Sequence, residues 1–594
     1  MSVHYQISPA APRAHLFAVA LRVEKPDPAG QVFRLPAWLR GSYCIRDFAK
    51  HVVDIRAEQA DGAACDLTQL DKSRYQAAPV AGALVLRYRV YAFDPSVRKA
   101  FLDTRRGFFN PSSLCFAVEG QTDTALEIDV QPPQDPACRD WALATSLQAV
   151  EVDARGFGRY RADDYEDLID QPVEMGAFER VDFDVDGMPH SLVLAGHAPV
   201  DTARVTADLA RICSVEHALF GHSLQLDRYL FLTHVMTRGY GGLEHRHSTA
   251  LVCARDDLPA PGDTGMKPGY RAFLGLASHE YFHLWNVKRL TAARFAESDL
   301  SQEAYSRDLW HYEGVTSYYD DQFLLRAGLV PMEDYLDLLA AQATRVWRMP
   351  GRHLHSLEAS SFETWTKYYQ PDENTPNQTV SYYVKGALVA LGLDLQLRLR
   401  GQSLDTVMRM AWSRYGAPGV PVPERGLEAL ALEVGGADLQ PFFDQALRST
   451  DELPLAVWLK PFGVAAVLRA ALGSSDAGGR VPGTPPPSAL GARLAPDSLR
   501  ITQVRSDSPA EHADLAVGDV LVAVDGWQLT AGTAATVLSQ LAPQRPVTVH
   551  RFRAGRLEAV TLVPAPPPLD SWTLIPDPDA DDAALQRRRA WLGA

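Results

Sequence analysis

Residues 277–283 read Ala-Ser-His-Glu-Tyr-Phe-His, which places His279 and His283 four positions apart with Glu280 next to the first. On a helix, positions four apart share a face. The two imidazoles can then aim at one metal ion, and Glu280 stands close enough to a metal-held water to take its proton. The flanks suit a helix, because neither FLGLA before the motif nor LWNV after it holds a proline. Two histidines and an adjacent carboxylate are what zinc-assisted hydrolysis of an amide requires.

Two histidines leave a catalytic zinc site incomplete, since three protein ligands plus water are usual. Glu303 lies twenty residues after His283 and Glu313 thirty. Glu313 is preferred. It sits in WHYEGVTSYY (310–319), an aromatic-rich segment that reads as helix, whereas Glu303 follows Asp299, Leu300 and Ser301 like the start of a surface helix. A tetrahedral oxyanion needs a second hydrogen-bond donor, and Tyr383 in VSYYVKG (380–386) is the candidate. In RGYGGLEH (238–245), Gly241 and Gly242 permit close backbone approach, as when an edge strand pairs with a peptide. Glu244 could then hold a substrate ammonium.

A chain of 594 residues needs more than one core, and two to four domains are expected. The formal net charge of −15 argues against a nucleic-acid partner and against anionic membrane surfaces. The opening MSVHYQIS lacks a basic segment followed by an apolar run, no apolar run is long enough for a membrane span, and the six cysteines show no paired spacing. A reduced, cytoplasmic protein is expected.

Alternation of apolar and polar residues at 84–93 and 125–130 predicts strands, and residues 1–170 read as an antiparallel β-sandwich domain. A helical period starts near Asp201, and YLFLTHV (229–235) reads as a strand. Helices are predicted at 305–327, 332–348, 381–400, 404–415 and 426–434, so residues 171–455 form a mainly helical domain. The low-complexity stretch GSSDAGGRVPGTPPPS (473–488) should be flexible. Short strands at 499–504, 520–524 and 547–552 predict a small α+β domain, followed by a tail at 567–594 with a helix at 583–592.

Taken together, HEYFHLWNVKRL, WHYEGVTSYYDD, GGLEHRHST and VSYYVKGALVALGLDL resemble the glycyl aminopeptidase family of thermolysin-like zinc peptidases, whose third zinc ligand is a glutamate. LPAWLRGSYCIRD (35–47) resembles a signature of that family's β domain, with Arg40 where proline is expected. The resemblance implies one zinc ion on His279, His283 and Glu313, Glu280 as general base, Tyr383 at the oxyanion and Glu244 on the substrate amine. It implies peptide substrates with a free N-terminus, glycine or alanine first. Residues 508–526 resemble a bacterial PDZ domain, with Asp514 in place of a usual glycine. Residues 461–468 would supply its first strand, giving a PDZ domain over 456–566 with 473–488 inserted. No clear carboxylate-binding loop is evident near residues 491–494, so the PDZ ligand is open. The fold expected is multidomain α+β: a β-sandwich, a thermolysin-like catalytic domain and a PDZ domain. An endopeptidase fed by its PDZ domain, or a scaffold without activity, are the competing readings. The intact His279, Glu280 and His283 speak against the scaffold.

Overall fold

The computed structural model describes residues 1–196, 199–221, 224 and 226–593. They form two compact units, one of residues 1–304 with 412–423 and one of residues 305–411 with 424–594. Among the described residues no helix is long and apolar enough to cross a membrane, and the six cysteines are free thiols.

In the first unit, the alternation at 84–93 becomes strand Leu84–Tyr91, which pairs antiparallel with Leu16–Val23 and with Val52–Gln59 inside an eight-stranded sheet. Two four-stranded sheets complete the β-rich N-terminal domain. Buried Tyr5, Tyr88 and Tyr165 donate to the carbonyls of Phe116, Leu114 and Cys115. Those bonds satisfy carbonyls that have no ladder partner of their own. Beyond this lies a five-stranded sheet in the order Glu179–Val185, Met188–Ala195, Tyr229–Met236, Ser248–Ala254, Gly241–Glu244. The strand read at 229–235 is its centre. Gly241–Glu244 is its edge, antiparallel to Ser248–Ala254. Helix Thr202–Phe220 starts where Asp201 accepts the Arg204 N–H at 3.1 Å and stops at Gly221, φ +84°. It packs on helix Pro268–Phe282, which carries the metal motif.

In the second unit, helices Met332–Trp347, Leu404–Ala411 and Gly426–Gly435 stand where the periodicity placed them. The helix read at 305–327 begins later, as a π-helical turn Trp310–Val315 that leads into Thr316–Arg326. Helix Val384–Leu399 is buried along most of its length. Its buried Asp394 accepts from Tyr318 Oη at 2.7 Å and from Arg398 at 2.8 Å, which is how a carboxylate is tolerated there. The C-terminal PDZ-like domain has the sheet order Trp527–Gln528, Val520–Val524, Val547–Arg553, Arg556–Leu562 and a hairpin of Ala492–Leu494 with Ile501–Val504. Asp514 adopts φ +55°, the left-handed conformation that makes glycine usual there. Its carboxylate is bonded by Arg551 at 2.8 Å and Arg553 at 3.0 Å. Helix Asp582–Leu592 ends the described chain, with Trp591 Nε1 donating to Tyr318 Oη at 3.3 Å.

Two expectations differ. The PDZ resemblance makes residues 461–468 that domain's first strand, but strand Val464–Ala470 pairs with Leu569–Pro576 in a two-stranded sheet of its own. The Gly, Ser and Pro content of residues 473–488 predicts a flexible segment. Their first half is tied down. Asp476, buried, accepts from Arg469 and from the N–H groups of Leu472 and Gly478, and Arg480 bonds Asp337 at 2.8 Å and Asp334 at 3.2 Å. One aspartate with several donors decides this, and composition cannot register it.

Candidate active site

Pro268 sits at the start of the motif helix, where its missing N–H costs nothing. The rings of His279 and His283 lie 4.7 Å apart, nearly perpendicular. His283 Nδ1 lies 2.7 Å from the Asn286 carbonyl. A carbonyl only accepts, so Nδ1 carries the proton and Nε2 presents its lone pair, the tautomer a metal needs. His283 is 2 % exposed and Glu280 6 %.

Glu244 joins them. Glu244, Glu280 and His283 each offer a donor atom, all within 4.8 Å of one another. Glu244 is 3 % exposed, and its Oε1 is buried without a hydrogen bond. Two buried carboxylates around a neutral imidazole call for a cation to neutralise them. The residues present therefore fit a metal ion and an ammonium. Gly242 is needed here because a Cβ on it would run into the Glu280 carboxylate. Gly241, at φ +155°, comes before it on the edge strand. The Gly242 carbonyl is already taken by Arg98 Nη2 at 3.0 Å, so this part of the edge differs from the open strand that the glycines suggested.

Glu313 and Tyr383 belong to the second unit. Glu313 is 2 % exposed, on the π turn, a conformation that often marks functional positions. Glu303 is exposed in a loop rather than on a helix. Tyr383 precedes helix Val384–Leu399. Burial, and then the negative charge of Glu313, raise its hydroxyl well above the usual tyrosine value, so it stays a proton donor. The two segments cross at glycine on glycine: a Cβ on Gly386 would lie 2.9 Å from Gly314 Cα. Gly386→Ala is expected to cost about 2–3 kcal/mol, since backbone cannot retreat as a side chain does. Urea titration against the wild type checks this.

Family models match along the chain: Peptidase M61 N-terminal domain at residues 4–177, M61 glycyl aminopeptidase at 272–389 and PDZ domain at 488–563. The crystal structure of an aminopeptidase N family protein from Idiomarina loihiensis is 38 % identical, covers 99 % of this chain and 100 % of its own, and superposes with a TM-score of 0.95. The chain belongs to the M61 glycyl aminopeptidase family. It is a metallopeptidase. The M1 zinc metallopeptidase from Deinococcus radiodurans is a more distant structural neighbour, at 16 % identity over 76 % of this chain and 95 % of its own, TM-score 0.48. A comparison with curated proteins finds no match.

Around this M61 site lie residues that the sequence did not single out. Tyr281, between the motif histidines, meets His190 Nε2 at 2.9 Å and His217 Nε2 at 2.8 Å. Ser278 donates to buried Glu216 at 3.0 Å. Asp170 accepts from Lys288 at 2.8 Å and from the Arg246 N–H at 2.9 Å, and lies 3.2 Å from His245 Nδ1. It thereby ties the strand end after Glu244 to the segment after the motif helix. His245 and Lys288 adjoin motifs already noted and were within reach of the sequence; Asp170, in DLID, carries no local signal.

Burial pushes the Asp170 carboxyl up, but the charge of Lys288, and then His245, outweigh it and hold it well below the usual carboxylate range. A depressed acid stabilises the fold above its unfolded value and loses that contribution as pH falls. Asp170→Asn strands a buried lysine and is expected to cost about 3–5 kcal/mol at neutral pH. The gap from wild type closes as pH drops below 4 in thermal melts across pH, about where an unfolded aspartate titrates.

Proposed function

We propose that this metallopeptidase is an aminopeptidase that uses one zinc ion to release small N-terminal residues, glycine and alanine, from peptides. The carrying observation is the buried Glu244 carboxylate beside Glu280 and His283. Amide hydrolysis needs no second carboxylate there. A substrate ammonium does, and Glu244 Oε1 has an acceptor to spare. An endopeptidase has no ammonium to hold.

His279, His283 and Glu313 would hold the ion, since two histidines with one glutamate suit catalytic zinc. When bound, zinc supplies Lewis acidity, which eases ionisation of water and polarises the scissile carbonyl. Glu280 accepts the proton of the attacking water on its carboxylate and returns it to the leaving amine. Tyr383 donates its hydroxyl hydrogen to the developing oxyanion. Glu244 holds the α-ammonium and so sets which amide reaches Glu280. The PDZ domain suits a peptide or protein ligand, and free thiols suit a reducing, cytoplasmic setting.

The test is hydrolysis of glycyl and alanyl p-nitroanilide. Activity should vanish with a chelator, return on adding zinc, and decline for leucyl and phenylalanyl substrates. Activity unaffected by exhaustive chelation, or a preference for large first residues, contradicts the proposal.

A further inference from the structure

The loop of the β-domain signature at 35–47 reaches the Glu244 end of the site. Gly41 adopts φ +90°, and a Cβ built there would lie 2.6 Å from both Cδ and Oε2 of Glu244. No side chain fits between the loop backbone and the carboxylate. The loop is also held firmly. Ser42 N–H donates to the Leu39 carbonyl at 3.1 Å, Cys44 N–H to the Ser42 carbonyl at 2.8 Å, and Arg46 bonds Ser42 Oγ. Arg40, in place of the expected proline, clamps the loop from outside, on Glu166 and on the carbonyls of Phe295 and Ser298. Arg98, from the same domain, has taken the Gly242 carbonyl.

We propose that Gly41 is a positioning residue and specificity determinant: its bare backbone seats the Glu244 carboxylate and forms the wall behind the substrate's first residue. Exopeptidase action then comes from this N-terminal-domain loop. The metal motif itself does not choose between chain ends. The inference rests on Glu244 as the amine anchor. A substrate extended past its first residue meets the loop, and Gly242, its carbonyl occupied by Arg98, offers it less of a strand edge to pair with.

The experiment is a double-mutant cycle on the zinc-loaded full chain with glycyl p-nitroanilide. Gly41→Ala pushes Glu244 out of place and is expected to raise KM about ten- to a hundredfold, the scale of losing one charge-assisted hydrogen bond, with zinc content retained. Glu244→Asp withdraws the carboxylate from the new methyl group. Gly41→Ala/Glu244→Asp is therefore expected to perform no worse than Glu244→Asp alone. Multiplying losses in the double variant, or wild-type KM in Gly41→Ala, overturns the inference while leaving the amine anchor standing. Wild-type KM in Glu244→Ala overturns the anchor and the wall together. Melting temperature and zinc content separate both results from misfolding.

Discussion

Replacing Glu280 by glutamine is expected to lower kcat by about 10²–10⁴-fold, the usual range for loss of a general base. The substitution is nearly isosteric, so the space that Gly242 leaves for the side chain is still filled. The amide can hydrogen-bond but cannot accept a proton. Glu280 is not proposed as a metal ligand, so zinc content should stay at one ion per chain, measured by elemental analysis. KM should change little, because the ammonium is held elsewhere. A variant that keeps a tenth or more of wild-type kcat would remove Glu280 from the chemistry.

Tyr383→Phe is expected to lower kcat by about 10²–10³-fold with KM nearly constant, because an oxyanion donor acts mainly in the transition state. The pH profile adds a check. Burial and the Glu313 charge keep the Tyr383 hydroxyl protonated well past the usual tyrosine range. The wild-type alkaline limb should therefore contain no fall due to Tyr383 below about pH 10, where an unperturbed tyrosine titrates. A tyrosine-dependent fall near pH 9, absent in Tyr383→Phe, would contradict the assignment of this residue.

The sequence was most legible where chemistry and helix geometry coincide. The His-Glu-x-x-His spacing marked both the helix and the closeness of the His279 and His283 rings, because a period near four has one structural meaning. Glu244 was readable as a candidate ammonium holder from its glycine-rich segment and from the family resemblance, but its place beside Glu280 was not. What brings it to Glu280 is the antiparallel turn from Gly241–Glu244 to Ser248–Ala254 and the packing of helix Pro268–Phe282 on that edge. Gly41 and Asp170 lie far from the motif in sequence and act through long-range contact, Gly41 through the room it leaves and Asp170 through the charges it gathers. Neither leaves a periodic trace. The pairing of Val464–Ala470 with Leu569–Pro576 failed to show for a related reason: strand partners a hundred residues apart are chosen by packing, and an apolar strand matches many edges.

Recognition of a free amine by Glu244 is tested by comparing hydrolysis of glycyl p-nitroanilide with that of its N-acetyl form, by the zinc-loaded wild type and by Glu244→Ala. The wild type is expected to cleave the free amine at least about a hundredfold faster in kcat/KM, on the scale of a buried charge pair, and Glu244→Ala to lose most of that ratio. Equal rates on free and acetylated substrates by the wild type would contradict it and point to an endopeptidase.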